Sequence, residues 1–339
     1  MNLFKSKPAL YIACAINSLL MMLVMFVWLN QYLILDDEVM LIRLTTGLNI
    51  KLSELGWKEK KQPDPKDFLF IDLTWEKTLA DEKNKDGQII GKRPITDRAR
   101  IAQLLHSLNK NKDYKFIILD VFFKDSSNYR DDSLLQEEFK QTKNILIPYH
   151  KRDEDDLPDQ PVFKAPLALS DYEQGNDQFI KYKLVQGNNF KTTPLVMYET
   201  LHPEDTLNRN GYLFYKMRDR ISMNSFILNL RIWWDDLENS PETASLSEDS
   251  IKASADTARF RYSKVYFNDL MVPGLPEEVY SEIIHGRTKD KILIIGAFDE
   301  GDMHETIYGT TPGPLILLNA YLAILNKDNQ VKWSFMLFL

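Results

Sequence analysis

Residues 116–123, FIILDVFF, decide the fold of this chain of 339 residues. The run is apolar without alternation as far as Asp120, as in a strand that is buried on both faces of a parallel sheet. Three more runs share this pattern, namely FLFIDL (68–73), ILIPY (145–149) and KILIIGAF (291–298). The sequence therefore predicts four buried strands of one sheet.

Helical patterns lie between these strands. Thr96 or Asp97 can cap a helix that follows the first strand. Asp131 or Asp132 can cap another helix that follows the second strand. Because strands and helices alternate as in right-handed crossovers, we predict an α/β fold, a mostly parallel sheet with flanking helices, preceded by one transmembrane helix. The residues expected to face the sheet are Ile101, Leu104, Leu105, Leu108, Leu134, Leu135 and Phe139.

Three further helices are predicted. One begins at residues 312–314, where proline is tolerated in a first helical turn, and runs to Leu325. A second covers residues 225–237, SFILNLRIWWDDL, with Trp233 and Trp234 on its core-facing side. A third covers residues 36–52 and continues from the apolar segment near the N-terminus.

That apolar segment, residues 8–35, contains no charged residue. It is long enough to cross a bilayer, which takes about 20 apolar residues. Because it has no small-residue cleavage site, we predict an uncleaved membrane anchor over residues 9–35, after a cytoplasmic N-terminus of residues 1–8. Two lysines precede the span and three acidic residues follow it, so the main domain is expected outside the cytoplasm, at the cell inner membrane and facing the periplasm or the exterior.

The exterior part, residues 36–328, is large enough for one domain with insertions. Segments near 151–166 and 238–258 are polar or rich in Asp, Pro and Ser, a composition typical of surface insertions. Residues 331–339 are again apolar and are predicted to begin a truncated second transmembrane helix.

Composition excludes some functions. The net charge is −7 and the exterior part has no block of Lys or Arg, which argues against a nucleic-acid partner. The single cysteine, Cys14, lies in the anchor, so no intrachain disulfide is expected and a bacterial exterior is favoured. Neither a glycine-rich phosphate loop nor a nucleophile elbow is present, so we expect no cofactor and no enzymatic activity.

Several of these motifs, in this order, resemble the type 2 CHASE domain. They are FLFIDL, RPITDRARIAQLLHSL, FIILDVFF and the closing KILIIGAFDEGDMHETIYGTTPGPLILLNAYLAIL. That family is the extracellular sensory module associated with bacterial adenylate cyclases and histidine kinases. The resemblance covers residues 36–325 and implies an extracytoplasmic sensor. The positions that match the family pattern are Asp72, Arg93, Pro94, Asp120, Asp302 and His304.

The chain departs from the family pattern at two places in the closing element. Thr306 is followed by Ile307 where the family has Thr-Pro. The helix reads Leu318-Asn319-Ala320 where the family has Ala-Asn. The contacts of that edge are therefore expected to differ from those of other members.

Acidic residues end two of the predicted strands. Because ligands bind at the carboxyl edge of open α/β sheets, these residues are candidates for a small-ligand pocket. The alternative is that Asp72 and Asp120 only accept hydrogen bonds from loop backbone. The spacing Asp302-x-His304 offers two metal ligands where a site needs three or four, so no metal is expected. The candidate ligand-binding residues are Asp72, Arg93, Asp120, Asp302 and His304, with Arg98 as a substitute for Arg93.

Three functions stay open. The first is a membrane-anchored sensor that recognises an unknown small ligand or envelope signal and passes it across the membrane. The second is a membrane-anchored metal-dependent hydrolase that uses the acidic edge, and the third is an envelope scaffold that binds another protein. The expected partners are the membrane, through residues 9–35, and either a small ligand or an envelope protein, with a homodimer as a further option.

Overall fold

The computed structural model describes residues 7–29, 40, 44 and 62–328, except for 85, 87, 125, 152–157, 160–161, 172, 176–177, 188–189, 211–213, 219, 240–261 and 273. Three predicted segments lie wholly or largely outside the described residues: the helix over 36–52, the insertion near 238–258 and the membrane segment over 331–339.

The described part of the chain contains seven α-helices. These are α1 (Lys7–Leu29), α2 (Arg98–Asn111), α3 (Tyr129–Gln141), α4 (Thr193–Leu201), α5 (Phe267–Leu270), α6 (Glu277–Thr288) and α7 (Gly313–Leu325). Shorter 3-10 helices cover Pro65–Asp67, Trp234–Asp236 and Glu300–Asp302.

The strands of the described residues fall into a large sheet and several small ones. They are β1 (Phe68–Asp72), β2 (Lys77–Lys83), β3 (Ile89–Thr96), β4 (Phe116–Asp120), β5 (Ile145–Lys151), β6 (Pro158–Asp159), β7 (Leu167–Leu169), β8 (Glu173–Gly175), β9 (Gln178–Lys183), β10 (Val185–Gln186), β11 (Phe190–Lys191), β12 (Leu207–Asn210), β13 (Phe214–Met217), β14 (Arg220–Ser222), β15 (Ser225–Ile227), β16 (Leu237–Asn239), β17 (Tyr262–Tyr266), β18 (Ile292–Gly296), β19 (Met303–Thr306) and β20 (Gly309–Pro312).

The large sheet is mostly parallel, as predicted. Six parallel strands follow the order β16-β17-β1-β18-β4-β5, while β7 pairs parallel and β6 antiparallel with β5. All four predicted buried runs are strands of this sheet. Asp72 lies beside Gly296, and Gly296 lies beside Asp120, so the ends of three central strands are level with one another.

Both faces of the sheet are covered. On β1, Phe68 and Phe70 pack towards α4 and α7, while Leu69 and Ile71 pack towards α2, α3, α5 and α6. All five residues of β1 are buried, which is the reason for its unbroken apolar sequence. Burying side chains of this size stabilises the fold by about 1.5–3 kcal/mol each.

The structure tests both predicted helix caps. Asp97 caps α2, because its carboxylate accepts a hydrogen bond of 3.1 Å from the backbone N–H of Arg100. The predicted caps of α3 were wrong: Asn128 lies one turn earlier and accepts a hydrogen bond of 2.9 Å from Asp131 N–H. Asp132 instead pairs with the buried Arg98, at 2.5 Å.

The helix predicted over 225–237 was also wrong. That segment contains β15, a 3-10 turn and the first residue of β16. The buried Asn319 of α7 holds the segment in this form, because its side-chain oxygen accepts hydrogen bonds from the N–H groups of Arg231 (2.7 Å) and Ile232 (3.1 Å). Of the two tryptophans expected on the core side, Trp234 packs on the core, stacked against Phe298 at a ring distance of 6.2 Å, whereas Trp233 contacts the Tyr308 ring at 5.4 Å.

The helix predicted after residues 312–314 is α7, and it ends at Leu325 as expected. The predicted loop before it contains the β19–β20 hairpin. Through β19, this hairpin joins a second sheet of five strands, in the order β15-β9-β19-β20 with β8 beside β9. Near the N-terminus, α1 contains the one described helix segment, Lys7–Val24, that is long and apolar enough to cross a membrane by length and composition.

Candidate functional site

A cavity of about 520 Å³ opens at the carboxyl edge of the parallel sheet, beside the ends of β4 and β5. Its volume lies within the range of small-molecule sites, about 300–1,000 Å³. Its walls are formed, among the described residues, by Asp120, His150, Ser170, Asp171, Phe179, Asp302, His304, Gly313, Ile316 and Leu317.

The sheet topology explains why these side chains meet. Asp120 ends β4, His150 lies near the end of β5, and Asp171 follows β7. Because these strands are parallel, their carboxyl ends share one edge. Asp302 and His304 reach the same edge from the turn and the hairpin after β18.

His150 and Asp171 form a fixed pair on one wall. The Nδ1 atom of His150 lies 2.9 Å from Asp171 Oδ1, and the backbone N–H of Lys151 donates to the other oxygen of Asp171 at 2.8 Å. The side chain of Gln186 donates to the Asp171 carbonyl at 2.6 Å, which holds the loop in place. The hydrogen bond to Asp171 raises the pKa of His150 against the opposing effect of burial.

Asp120 is in a different position. It is partly buried, and no described residue forms a hydrogen bond with its carboxyl group. Burial and the nearby charge of Asp302 raise the pKa of Asp120 to about 8, while His150 acts in the opposite direction. Much of the Asp120 population is therefore protonated at neutral pH.

Asp302 lies against the first turn of α7. A Cβ atom built on Gly313 would stand 2.8 Å from Asp302 Oδ2, so the glycine leaves the space that the carboxylate fills. A negative charge is favourable there, because the backbone N–H groups of a first helical turn have no intrahelical partner. His304 Nε2 lies 3.3 Å from the other oxygen, Asp302 Oδ1.

The rest of the wall is apolar. Ile316 and Leu317 come from α7, and Phe179 comes from β9. Tyr182 lies behind Phe179 and stacks on it at a ring distance of 5.8 Å. The cavity thus has an acidic end and an apolar side.

The structure brings together three of the five predicted site residues, namely Asp120, Asp302 and His304. Asp72 is not among the described residues of the cavity wall: its carboxylate accepts a hydrogen bond of 2.9 Å from Thr74 N–H and one of 3.3 Å from the Lys264 ammonium group. Asp72 thus accepts a hydrogen bond from loop backbone, which was the alternative to a role in ligand binding. The role of the other three in ligand binding stays a prediction.

The two arginines also lie elsewhere. Arg93 is on β3, opposite Ala80 in the β2–β3 hairpin, and is not among the described residues of the cavity wall. Arg98 pairs with Asp132, and its guanidinium group lies over the Phe163 ring at 5.2 Å. Neither side chain supplies the positive charge that the sequence suggested for this site.

The sequence-based prediction missed the pair His150–Asp171. His150 follows the predicted strand 145–149 directly, so the same edge rule that selected Asp120 also applies to it. Asp171 had no comparable signal, because β7 has only three residues. Strands this short leave no recognisable apolar run.

The arrangement is suited to recognition by charge and hydrogen bonds. Within the described ranges, no group of three or more His, Cys, Asp or Glu side chains is arranged to hold a metal ion. The Ser170 hydroxyl is hydrogen-bonded to Thr193 Oγ1 at 2.8 Å, on the side of the strand that faces α4.

The described residues form an α/β fold with a ligand-sized cavity at its sheet edge, preceded by an apolar helix. The CHASE2 domain family model matches residues 24–338, nearly the whole chain, and the chain therefore belongs to the CHASE2 domain family. This is a family of extracellular sensory domains, as the resemblance implied. No curated protein and no solved structure matches the chain.

Proposed function

We propose that this protein is a membrane-anchored extracytoplasmic sensor of the bacterial inner membrane, and that it binds a small ligand without converting it. The observation that carries the proposal is the cavity at the carboxyl edge, where Asp120 and His150 from two strand ends meet Asp302 from the turn after β18. Ligands of open α/β sheets bind at that edge.

The hydrogen-bond partners of the polar groups favour ligand recognition over catalysis. A hydrolase needs a nucleophile next to a base, as in the Ser-His-Asp arrangement. His150 is oriented by Asp171 as such a base would be, but the Ser170 hydroxyl is bonded to Thr193 rather than to His150. A metal-dependent hydrolase would need a set of metal ligands that the described residues do not form.

The element best placed to carry a signal is α7. Its first turn lines the cavity through Gly313, Ile316 and Leu317. Its last residue, Leu325, leads towards residues 331–339, the predicted membrane segment. A ligand that shifts the first turn of this 13-residue helix would therefore move an element that leads, along the chain, into the predicted membrane segment.

Ligand screening tests the binding site. The full chain, in lipid nanodiscs, is melted in the presence of a panel of anionic, neutral and cationic metabolites. A true ligand raises the melting temperature of the wild type. It should do so far less for Gly313→Ala, which displaces Asp302, and normally for Gly286→Ala, whose added methyl group meets open space. Stabilisation of both variants to the wild-type extent would reject this cavity.

A fusion experiment tests the location. Alkaline phosphatase joined after Asp64 should be active, because the enzyme matures only outside the cytoplasm. A cytoplasmic reporter at the same position should be silent. The reverse pattern would reject the sensor proposal as a whole.

A further inference from the structure

The acidic side chains of the described cavity wall outnumber the basic ones. His150 and Asp171 neutralise each other as a pair at 2.9 Å. Asp120 and Asp302 remain, and among the described wall residues there is no Lys or Arg to face them. His304, beside Asp302, can offset at most one of the two carboxylates.

The first turn of α7 could attract an anion, but Asp302 already lies there. An anionic ligand would have to displace that carboxylate or approach it closely. Asp120, on the same wall, is largely protonated at neutral pH and becomes a second repelling charge for an anion once it loses its proton. The electrostatics of the site therefore oppose an anionic ligand.

Tyr182 gives an observation that is independent of these acids. It has no exposed surface, and no described residue forms a hydrogen bond with its hydroxyl group. Burial raises its pKa, and the charges of Asp120 and Asp171 raise it further. An unpaired buried hydroxyl costs about 1–3 kcal/mol, a cost that a polar ligand group reaching it would remove.

The opposite side of the cavity is apolar, through Phe179, Ile316 and Leu317. An inorganic cation has no apolar part that could pack against these side chains. An organic molecule with a charged end and an apolar body fits both sides.

From these observations we propose that the cavity binds an organic cation, with an ammonium or guanidinium group between Asp120 and Asp302 and an apolar body against Phe179 and α7. This inference names the ligand class and rests on the proposed function.

The proposal predicts that ligand binding is coupled to the release of a proton. The raised pKa of Asp120, about 8, means that a cation must displace a proton from that carboxyl group at neutral pH. Binding should therefore release protons and become tighter as the pH rises towards 8. The other titratable groups facing Asp120 are Asp302, His150, Asp171, His304 and Tyr182; loss of charge on His150 with rising pH favours the cation in the same direction.

Three small probes of one size test the ligand class: butylammonium, butanol and butyrate. Each is titrated into the full chain in nanodiscs and followed by saturation-transfer NMR. We expect butylammonium to bind best, with affinity that increases between pH 6 and 8. Asp120→Asn, which keeps the size of the side chain, should weaken butylammonium binding by about tenfold or more. Asp67→Asn, at an exposed ion pair with Lys115, should leave it unchanged.

The outcomes separate the two proposals. If butanol or butyrate binds better than butylammonium, and Gly313→Ala weakens that binding, the cavity is a ligand site but the cation inference is overturned. The inference is also overturned if no probe binds, or if the affinity for butylammonium does not depend on pH; the metabolite screen then decides the proposed function separately. The cation inference is likewise overturned if a folded Asp120→Asn variant binds butylammonium as tightly as the wild type does.

Discussion

A side-chain oxygen of Asp302 occupies the space beside Gly313 so closely that a Cβ atom on the glycine would stand 2.8 Å from it. Replacing Gly313 with Ala must move the carboxylate away from the first turn of α7. We expect the free energy of unfolding to fall by about 1 kcal/mol, because a favourable charge at the helix N-terminus is lost. Urea unfolding measures the change.

The matched control for this variant is Gly286→Ala. Gly286 lies in α6, and an added Cβ atom there meets nothing within 4 Å. It should stabilise the fold by about 0.5–1 kcal/mol, because alanine favours a helix interior over glycine. If Gly313→Ala were stabilising to the same extent, the carboxylate would have no role at the helix start.

A second prediction concerns Asp120 and pH. Its folded-state pKa of about 8 lies above the ordinary value of 3.8, so the folded state keeps a proton that the unfolded chain loses. Stability should therefore fall as the pH rises from about 4 to 8. Asp120→Asn should flatten this dependence and be more stable than the wild type at pH 8, by on the order of several kcal/mol. Thermal melts across this pH range provide the test, and an unchanged slope would contradict it.

A third prediction concerns His150, whose pKa is raised mainly by its hydrogen bond to Asp171. The stabilisation from this pair is fully present below pH 6.5 and is lost as the pH rises through the raised folded-state pKa. Asp171→Asn should lower the pKa of His150 and cost less than about 1 kcal/mol at pH 6, because the imidazole is half exposed.

NMR titration of the His150 ring protons measures this shift. Asp113→Asn is the control, because Asp113 lies 2.8 Å from His285 and is not among the described residues of the cavity wall. The assignment of Asp171 as the cause fails if both variants move the His150 titration equally.

A fourth prediction separates Asp72 from the cavity. Asp72 and Lys264 form a buried ion pair at 3.3 Å, with only 4% and 10% of their side chains exposed. Asp72→Asn leaves the ammonium group without its counter-charge and should cost about 3 kcal/mol. The exposed pair of Asp67 and Lys115 is the comparison, where Asp67→Asn should cost less than about 1 kcal/mol. Both variants should keep ligand binding, and loss of binding in Asp72→Asn with an intact fold would place Asp72 at the site.

The large sheet could be predicted because its strands are buried on both faces. Their apolar runs, such as that of β1, reflect a local requirement of the strand itself. The helices α2 and α7 were predictable for a similar reason, since Asp97 and the prolines at 312 and 314 lie within the helix starts that they define.

The segment 225–237 shows why local patterns fail elsewhere. Its apolar spacing fits a helix, but hydrogen bonds from Arg231 and Ile232 to Asn319, 88 and 87 residues away, hold the backbone in another conformation. Local patterns also predicted only part of the site. Asp120 could be predicted as a site residue because it ends a recognisable apolar strand, whereas Asp171 owes its position to the pairing of the short β7 with β5. Such long-range contacts are not visible in a single local stretch.

The position of β18 has a consequence for biosynthesis. Phe68 of β1 pairs with Ile292 of β18, and Phe116 of β4 pairs with the same residue from the other side. At about 5–20 residues per second, the ribosome needs on the order of ten seconds or more after making β1 to supply its central neighbour. Until then β1 and β4 are open edges that invite aggregation. Distant pairings of this kind also slow folding, so the central sheet can form only late, after β18 has been made.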